Sequence, residues 1–310
     1  MSDTARYPKL RLGTAPDSWG VWFPDDPKQV PWARFLDEAR DAGYSLIELG
    51  PYGYLPTDPD VLRAELDRRG LALTGGAVFV ALHKGEEAYA QALLDCDLEA
   101  RLLTILGARH LVILPDSFTD LDGNVVQSPE LTDAQWNDLC SGMDRLGRHL
   151  KDRWDVDLVF HSHADSHVGT QDQIVRLLDN TDPAYVNLCL DTGHMAYYNG
   201  DNLELIRDYP ARIQYVHLKQ VDPAIRRRAH DEKLGFAPAV RLGVMVEPPA
   251  GDPPMEPVLE ALGALDRELY CIVEQDLYPC APDAPFPIAA RTRRYFAGCG
   301  LAAGSAARAG

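Results

Sequence analysis

Eight short runs of β-forming residues alternate with segments of helical period, and this alternation constrains the chain more than any single residue does. Leu10–Ala15 precedes a helical stretch from about Trp32 to Ala42, Leu46–Leu49 precedes Asp60–Arg69, Leu71–Phe79 precedes Glu86–Leu106, and His110–Leu114 precedes Asp133–Asp152. The second half repeats the pattern: Asp157–His161 with Gln171–Leu178, Val186–Leu190 with Leu203–Asp208, Ile213–Leu218 with a longer insert, and Tyr270–Val273 with Ile288–Phe296. Apolar runs of strand length followed by amphipathic helices are βα units, and eight in series favour a closed barrel over an open sheet. One barrel of about 250 residues plus insertions accounts for the length. Gly43, Gly70 and Gly107 end helical segments just before strands, as C-terminal caps do. The expectation is an α/β chain, a single-domain (β/α)8 TIM barrel over residues 1–300, with a disordered Ala/Gly-rich tail at 301–310.

Four of the later strand patterns end in imidazole or carboxylate groups: Phe160-His161-Ser162-His163, Leu190-Asp191-Thr192-Gly193-His194, Val216-His217-Leu218-Lys219 and Val273-Glu274-Gln275-Asp276. In a parallel barrel every strand delivers its last side chain to the same rim, so groups more than a hundred positions apart can meet. Two carboxylates and two imidazoles suit Mn, Co, Fe or Zn and leave coordination positions open for substrate oxygens.

Charge and cysteine usage narrow the partners. The formal net charge of −17 repels phosphate backbones and acidic membranes, and the basic run Arg226-Arg227-Arg228 is followed by Asp231 and Glu232, as on a solvated helix face. No nucleic acid or membrane partner is expected, and homo-oligomerisation is left open. The six cysteines form no CxxC pair, there is no apolar leader, and no stretch has the ~18 apolar residues of a membrane helix. A cytoplasmic location with reduced thiols follows.

Together with Gly13-Thr14-Ala15-Pro16-Asp17-Ser18-Trp19-Gly20, the four strand ends and Gly169-Thr170 resemble the xylose-isomerase-like TIM-barrel superfamily of sugar isomerases and epimerases, most of all the inosose (2-keto-myo-inositol) dehydratases. The resemblance runs from about residue 10 to 298. It implies that Asp191, His217 and Glu274 bind one divalent ion, Mn2+ foremost, with Co2+, Fe2+, Zn2+ or Mg2+ as alternatives. It implies that His194 lies beside the ion and that Lys219 contacts substrate oxygen. Many members carry a metal-binding glutamate at the fifth strand tip, where this chain has His161-Ser162-His163. Aligned back from Gly169-Thr170, His163 takes that place as the fourth ligand, with His161 as the alternative.

A site of this kind chelates a ketone and a neighbouring hydroxyl, so the proton between them becomes removable. Loss of a β-hydroxyl then gives a dehydratase, a lyase acting on a keto-sugar or cyclitol, whereas reprotonation gives an isomerase or epimerase. Elimination is favoured by the likeness to inosose dehydratases and by the missing glutamate. The proton-transfer candidates are His194, Lys219 and Glu48, the last at the tip of the second strand. Trp19, Trp22, His161 and Glu247 are the candidates for contact with the substrate, and His83 is a further rim residue. An endonuclease-like phosphodiesterase, which shares this barrel and the DTGH element, is disfavoured by the acidic charge. So is a non-catalytic binding subunit, which has no need of an open Lewis-acid site.

Overall fold

The computed structural model describes residues 5–301. Seven parallel strands come first: β1 (Leu10–Thr14), β2 (Leu46–Pro51), β3 (Ala72–Val80), β4 (His110–Pro115), β5 (Asp157–His161), β6 (Val186–Asp191) and β7 (Ile213–Leu218). A short antiparallel ribbon follows, β8 (Gln220–Val221) against β9 (Met245–Val246), and β10 (Leu269–Val273) is the eighth barrel strand. The sheet closes where Thr14 pairs with Ile47 of β2 and with Val273 of β10. Every strand read from the sequence is present, and the fold is a single-domain TIM barrel.

Helices cover the outside of the barrel: α1 (Trp32–Asp41), α2 (Pro59–Asp67), α3 (Glu86–Leu106), α4 (Asp133–Trp154), α5 (Gln171–Asp179), α6 (Thr192–Tyr197) and α7 (Asn202–Asp208). The insert after β7 adds α8 (Pro223–Asp231), α9 (Phe236–Arg241) and α10 (Met255–Ala264), and α11 (Pro285–Gly298) completes the ring. Reciprocal side-chain caps start α4, from Thr132 and Gln135, and α5, from Thr170 and Gln173, so donors left open by the first turn are satisfied locally. Arg226 on α8 departs from the expected solvated face: its guanidinium donates to the Ala196 carbonyl and ties the insert to α6. The expected tail at 302–310 lies outside the described residues, whereas Leu301 is buried.

Strand side chains alternate between two environments. Leu158, Phe160, Leu188, Leu190, Val216, Leu218, Cys271 and Val273 join the large cluster beneath the helices. Val159, Cys189, Tyr215 and Ile272 face inward and fill the barrel, where the Tyr215 hydroxyl meets Thr74 Oγ1 at 2.6 Å. The next inward residue on each of these strands, two positions on, is His161, Asp191, His217 or Glu274. An apolar plug thus carries a layer of ligand-type side chains on its upper surface.

Candidate metal centre at the barrel mouth

Asp191 is the N-cap of α6, and this explains the first residues of the DTGH motif. Its Oδ1 accepts the Gly193 and His194 amides at 2.8 and 2.7 Å, leaving Oδ2 to face the barrel axis. Thr192 Oγ1 accepts the Lys219 amide at 2.9 Å and donates to the Lys219 carbonyl at 2.7 Å, which locks the tips of β6 and β7 together. Gly193 is required because a Cβ there would lie 2.6 Å from Lys219 Cγ. The lysine stem runs across that space to place its ammonium in the site.

His161, Asp191, His217 and Glu274 each offer a ligand atom within 4.8 Å of the others. His161 Nε2 lies 3.2 Å from Asp191 Oδ2, and His217 Nδ1 lies 2.9 Å from Glu274 Oε2 and 3.7 Å from Asp191 Oδ2. The other nitrogen of His217, Nε2, is 2.9 Å from Glu48 Oε1. Burial opposes a charge on His217, but Cys189, Glu274 and Glu48 outweigh it and raise the imidazole well above its ordinary value. Among the side chains alone, Nδ1 therefore carries a proton toward the carboxylates, in the place a bound cation would take. Carboxylates converging in a buried space call for positive charge between them, and two imidazoles with two carboxylates suit a divalent transition metal. Burial works against the charge of Asp191, but Lys219, His161 and His217 outweigh it and hold its carboxyl at about 2.

Lys219 Nζ stands beside this layer. It donates to Asp276 Oδ2 at 2.9 Å and pairs with Glu274 at 3.0 Å, Asp191 at 3.3 Å and Asp17 at 3.9 Å. Burial opposes the ammonium, but Asp191, Asp276, Glu274 and Asp17 more than offset it, so the lysine is held well above its ordinary value. The Ala164 amide donates to His194 Nδ1 at 3.0 Å, so a neutral ring carries its proton on Nε2, 3.3 Å from Lys219 Nζ. Burial, and then the neighbouring His163 and Lys219, keep His194 well below the usual imidazole value and hence neutral. Two proton-bearing nitrogens therefore stand side by side at the edge of the ligand layer.

The candidates read from the sequence separate cleanly in space. His161, expected to touch substrate, stands in the ligand layer, while His163, expected as the ligand, donates from Nδ1 to the Ala164 carbonyl at 2.7 Å and packs on His194 and Phe236. Strand β5 ends at His161, so the chain has left the barrel wall before His163. Glu48 is buried behind His217 and orients it, a position unsuited to meeting substrate as a base. Trp19 is fully buried, donating to Glu38 Oε2 and packing edge-on against Phe35, so it is a core residue rather than a substrate platform. Glu247 is paired with Arg291 of α11, away from the mouth. Trp22 does reach the site: its Nε1 donates to Asp276 Oδ1, and its ring stacks on Tyr278 at 5.1 Å.

Sequence reasoning passed over Asp17, Asp276 and Phe236. The two acids lie inside motifs quoted above, but their significance depends on Lys219 reaching them. Burial and the nearby Glu274 push the Asp17 carboxyl well above the usual range. Phe236 arrives from α9 in the insert and lies 5.0 Å from the His194 ring, a placement without any local sequence signal.

A family profile described as xylose isomerase-like TIM barrel matches residues 36–294. The chain belongs to that family. Among its relatives, the inosose dehydratase of Geobacillus thermodenitrificans is 29% identical, with 94% of this chain and 98% of that protein covered. The inosose dehydratase of Lacticaseibacillus casei is 30% identical over 92% of this chain and 96% of that protein. The solved structure of the IolI protein with a bound zinc atom superposes with a TM-score of 0.72 at 15% identity, covering 94% of this chain and all of that one. No helix among the described residues is long and apolar enough to cross a membrane.

Proposed function

We propose that this protein is a divalent-metal-dependent dehydratase of a neutral keto-polyol, an inosose or a close analogue. The observation that carries the reading is the ligand layer of His161, Asp191, His217 and Glu274 with the proton-bearing Lys219 and His194 on one side of it. The similarity to inosose dehydratases along nearly the full chain supports it. A divalent ion held by those four residues would supply positive charge to polarise a carbonyl and fix adjacent oxygens. Mn2+ is our reading of the metal, because imidazole ligands disfavour Mg2+ and the two carboxylates keep the site hard enough for manganese.

The chain's own groups divide the remaining work. Lys219 Nζ and His194 Nε2 hold protons where a leaving hydroxyl can receive one. Asp17, 3.9 Å from Lys219 Nζ and made a stronger base by burial and the nearby Glu274, replaces Glu48 as the carboxylate we assign to accept the substrate proton. Trp22 stacks on Tyr278 and donates to Asp276, and Phe236 packs against His194, which offers aromatic surface to the apolar face of a polyol ring. The charge of Lys219 is already met by Asp191, Glu274 and Asp276, which favours an uncharged polyol over a phosphorylated or acidic substrate. The free cysteines, four of them buried, and the net charge of −17 accord with a cytoplasmic enzyme.

The test is incubation with Mn2+ and an inosose in D2O, followed by ultraviolet absorbance and mass analysis. We expect an absorbing enone that has lost one water. Substrate or epimer returned with deuterium at the α-carbon, and no dehydrated product, would replace elimination by isomerisation.

A further inference from the structure

A second group of ligand-type side chains sits on the rim and shares no residue with the central layer. His83 lies in the short turn Leu82–Lys84 after β3, Asp116 directly follows β4, and His167 lies in the loop after β5. Their ligand atoms are all within 4.8 Å of one another. His83 Nδ1 is 3.5 Å and His167 Nδ1 is 3.8 Å from the same oxygen, Asp116 Oδ1. Both separations are too long for a good hydrogen bond.

The local hydrogen bonds define which atoms are free. His167 Nε2 is 2.9 Å from the Ser128 carbonyl and must donate to it, so a neutral ring turns a bare lone pair on Nδ1 toward Asp116. His167 is 2% exposed, and its Nδ1 is buried with no hydrogen-bond partner. Asp116 Oδ1 is buried and unpartnered as well, because Lys84 Nζ at 2.6 Å and Gln127 Nε2 at 3.0 Å both hold the other oxygen. Two acceptors thus face each other in a buried space, each oriented from behind by a fixed partner. An imidazole fixed by a backbone carbonyl on its far nitrogen is the arrangement seen around metal-bound histidines. Burial lowers His83 to about 4, so this ring is neutral and ligand-competent near pH 7.

We propose that His83, Asp116 and His167 form a second binding site for a divalent transition-metal cation, one that clasps the loops following β3, β4 and β5. Two imidazoles and one carboxylate select a borderline ion such as Zn2+, Co2+ or Fe2+ over Mg2+ or Ca2+. Three protein ligands leave further positions to water. The clasp bears on the central site because the loop that carries His167 begins at His161. Lys84 contributes a positive charge next to the ion and weakens binding, and as its side chain is half exposed it can swing away into solvent.

Co2+ is the probe, added to the full-length chain by equilibrium dialysis and read by metal analysis and visible absorbance, with circular dichroism to check the fold. We expect Asp116→Asn and, separately, His167→Gln to bind one Co2+ fewer than the unaltered chain and to lose one component of its absorbance. Asp191→Asn is expected to keep that component. Lys84→Met is expected to tighten the same component, a result that damage to the fold would not produce. Should the central layer take no ion, the unaltered chain would bind one Co2+ that Asp116→Asn abolishes, which upholds this site and removes the other. Co2+ content and spectrum unchanged in folded Asp116→Asn and His167→Gln would overturn the proposal and leave an ordered water as the occupant.

Discussion

The two ligand clusters on this barrel are built by different means. In the central layer, each ligand is the inward residue two positions beyond a plug residue: His161 beyond Val159, Asp191 beyond Cys189, His217 beyond Tyr215 and Glu274 beyond Ile272. The strand pairing Asp191 with His217 sets two of them directly opposite each other. The rim cluster has no such phase, since His83, Asp116 and His167 stand in a turn, at a strand exit and in a loop. Position in the central cluster is dictated by backbone register. In the rim cluster it is dictated by side-chain hydrogen bonds to Ser128, Lys84 and Gln127. A barrel sheet therefore provides a rigid, preorganised site, and its loops provide an adjustable one.

The largest effect expected of this contrast is in turnover. Asp191→Ala and Glu274→Ala should each remove the central ion and lower kcat/KM on the order of 10³-fold, because the principal stabilisation of developing charge is lost. Asp116→Asn should leave turnover within about threefold, as it removes no group that touches substrate and ordinary context scatter is of that size. Equal losses from Asp191→Ala and Asp116→Asn, measured by steady-state kinetics, would erase the distinction between the clusters.

Next in size is the pair on either side of the β5 exit. His161→Ala should lose the central ion, while His163→Ala should retain it and lower turnover by about tenfold to a hundredfold through its contact with His194. Metal analysis of the two purified variants decides the matter. Retention in His161→Ala with loss in His163→Ala would return the fourth ligand to the loop.

A smaller change is expected behind His217. Glu48→Gln keeps the side-chain shape but removes the carboxylate that orients the imidazole, so ion affinity should fall by about 10- to 100-fold with the fold intact. Turnover at saturating Mn2+ should largely recover. A loss of turnover that persists at saturating metal, with affinity unchanged, would restore Glu48 as the base.

The smallest effect concerns stability and its dependence on pH. Glu99 of α3 is fully buried against Gly76, with both oxygens lacking side-chain partners, and burial raises its carboxyl well above the usual range. A raised folded-state value means that the native chain keeps a proton which the unfolded chain releases above its ordinary value of about 4.3, so stability falls as the pH rises from there toward the folded-state value. Glu99→Gln should therefore stabilise the chain at pH 8 and change it little at pH 4. Urea melts at the two pH values measure this, and an equal effect at both would show that Glu99 is not held protonated. Asp191 behaves oppositely: its carboxyl is held at about 2, so its contribution is present at neutral pH and is lost as acid approaches that value.

What was legible in the sequence follows the same division. The barrel could be read from alternating runs because each strand must bury one face on the helices and the other in the plug, and the expected helix Glu86–Leu106 is the observed α3. That Asp191, His217 and Glu274 meet at the mouth was legible because each ligand-type side chain stands at or just past a strand end. The choice between His161 and His163 depends on where β5 stops. The inward phase of Val159 contains that answer, but a motif alignment from Gly169 does not. Trp19 looked like a platform beside Trp22, yet only the fold shows that its indole turns inward to Glu38 while Trp22 turns to Asp276. Phe236, Asp17 and the rim cluster depend on contacts between segments far apart in the chain, for which one sequence carries no local period.

The most direct test is an anomalous difference map from crystals grown with Mn2+, with data collected above and below the manganese edge. A peak is expected about 2.0–2.3 Å from His161 Nε2, Asp191 Oδ2, His217 Nδ1 and a Glu274 carboxylate oxygen, with Glu48 still on His217 Nε2. A peak ligated by His163 in place of His161, or no peak among these four side chains at full Mn2+ occupancy elsewhere, would contradict that expectation.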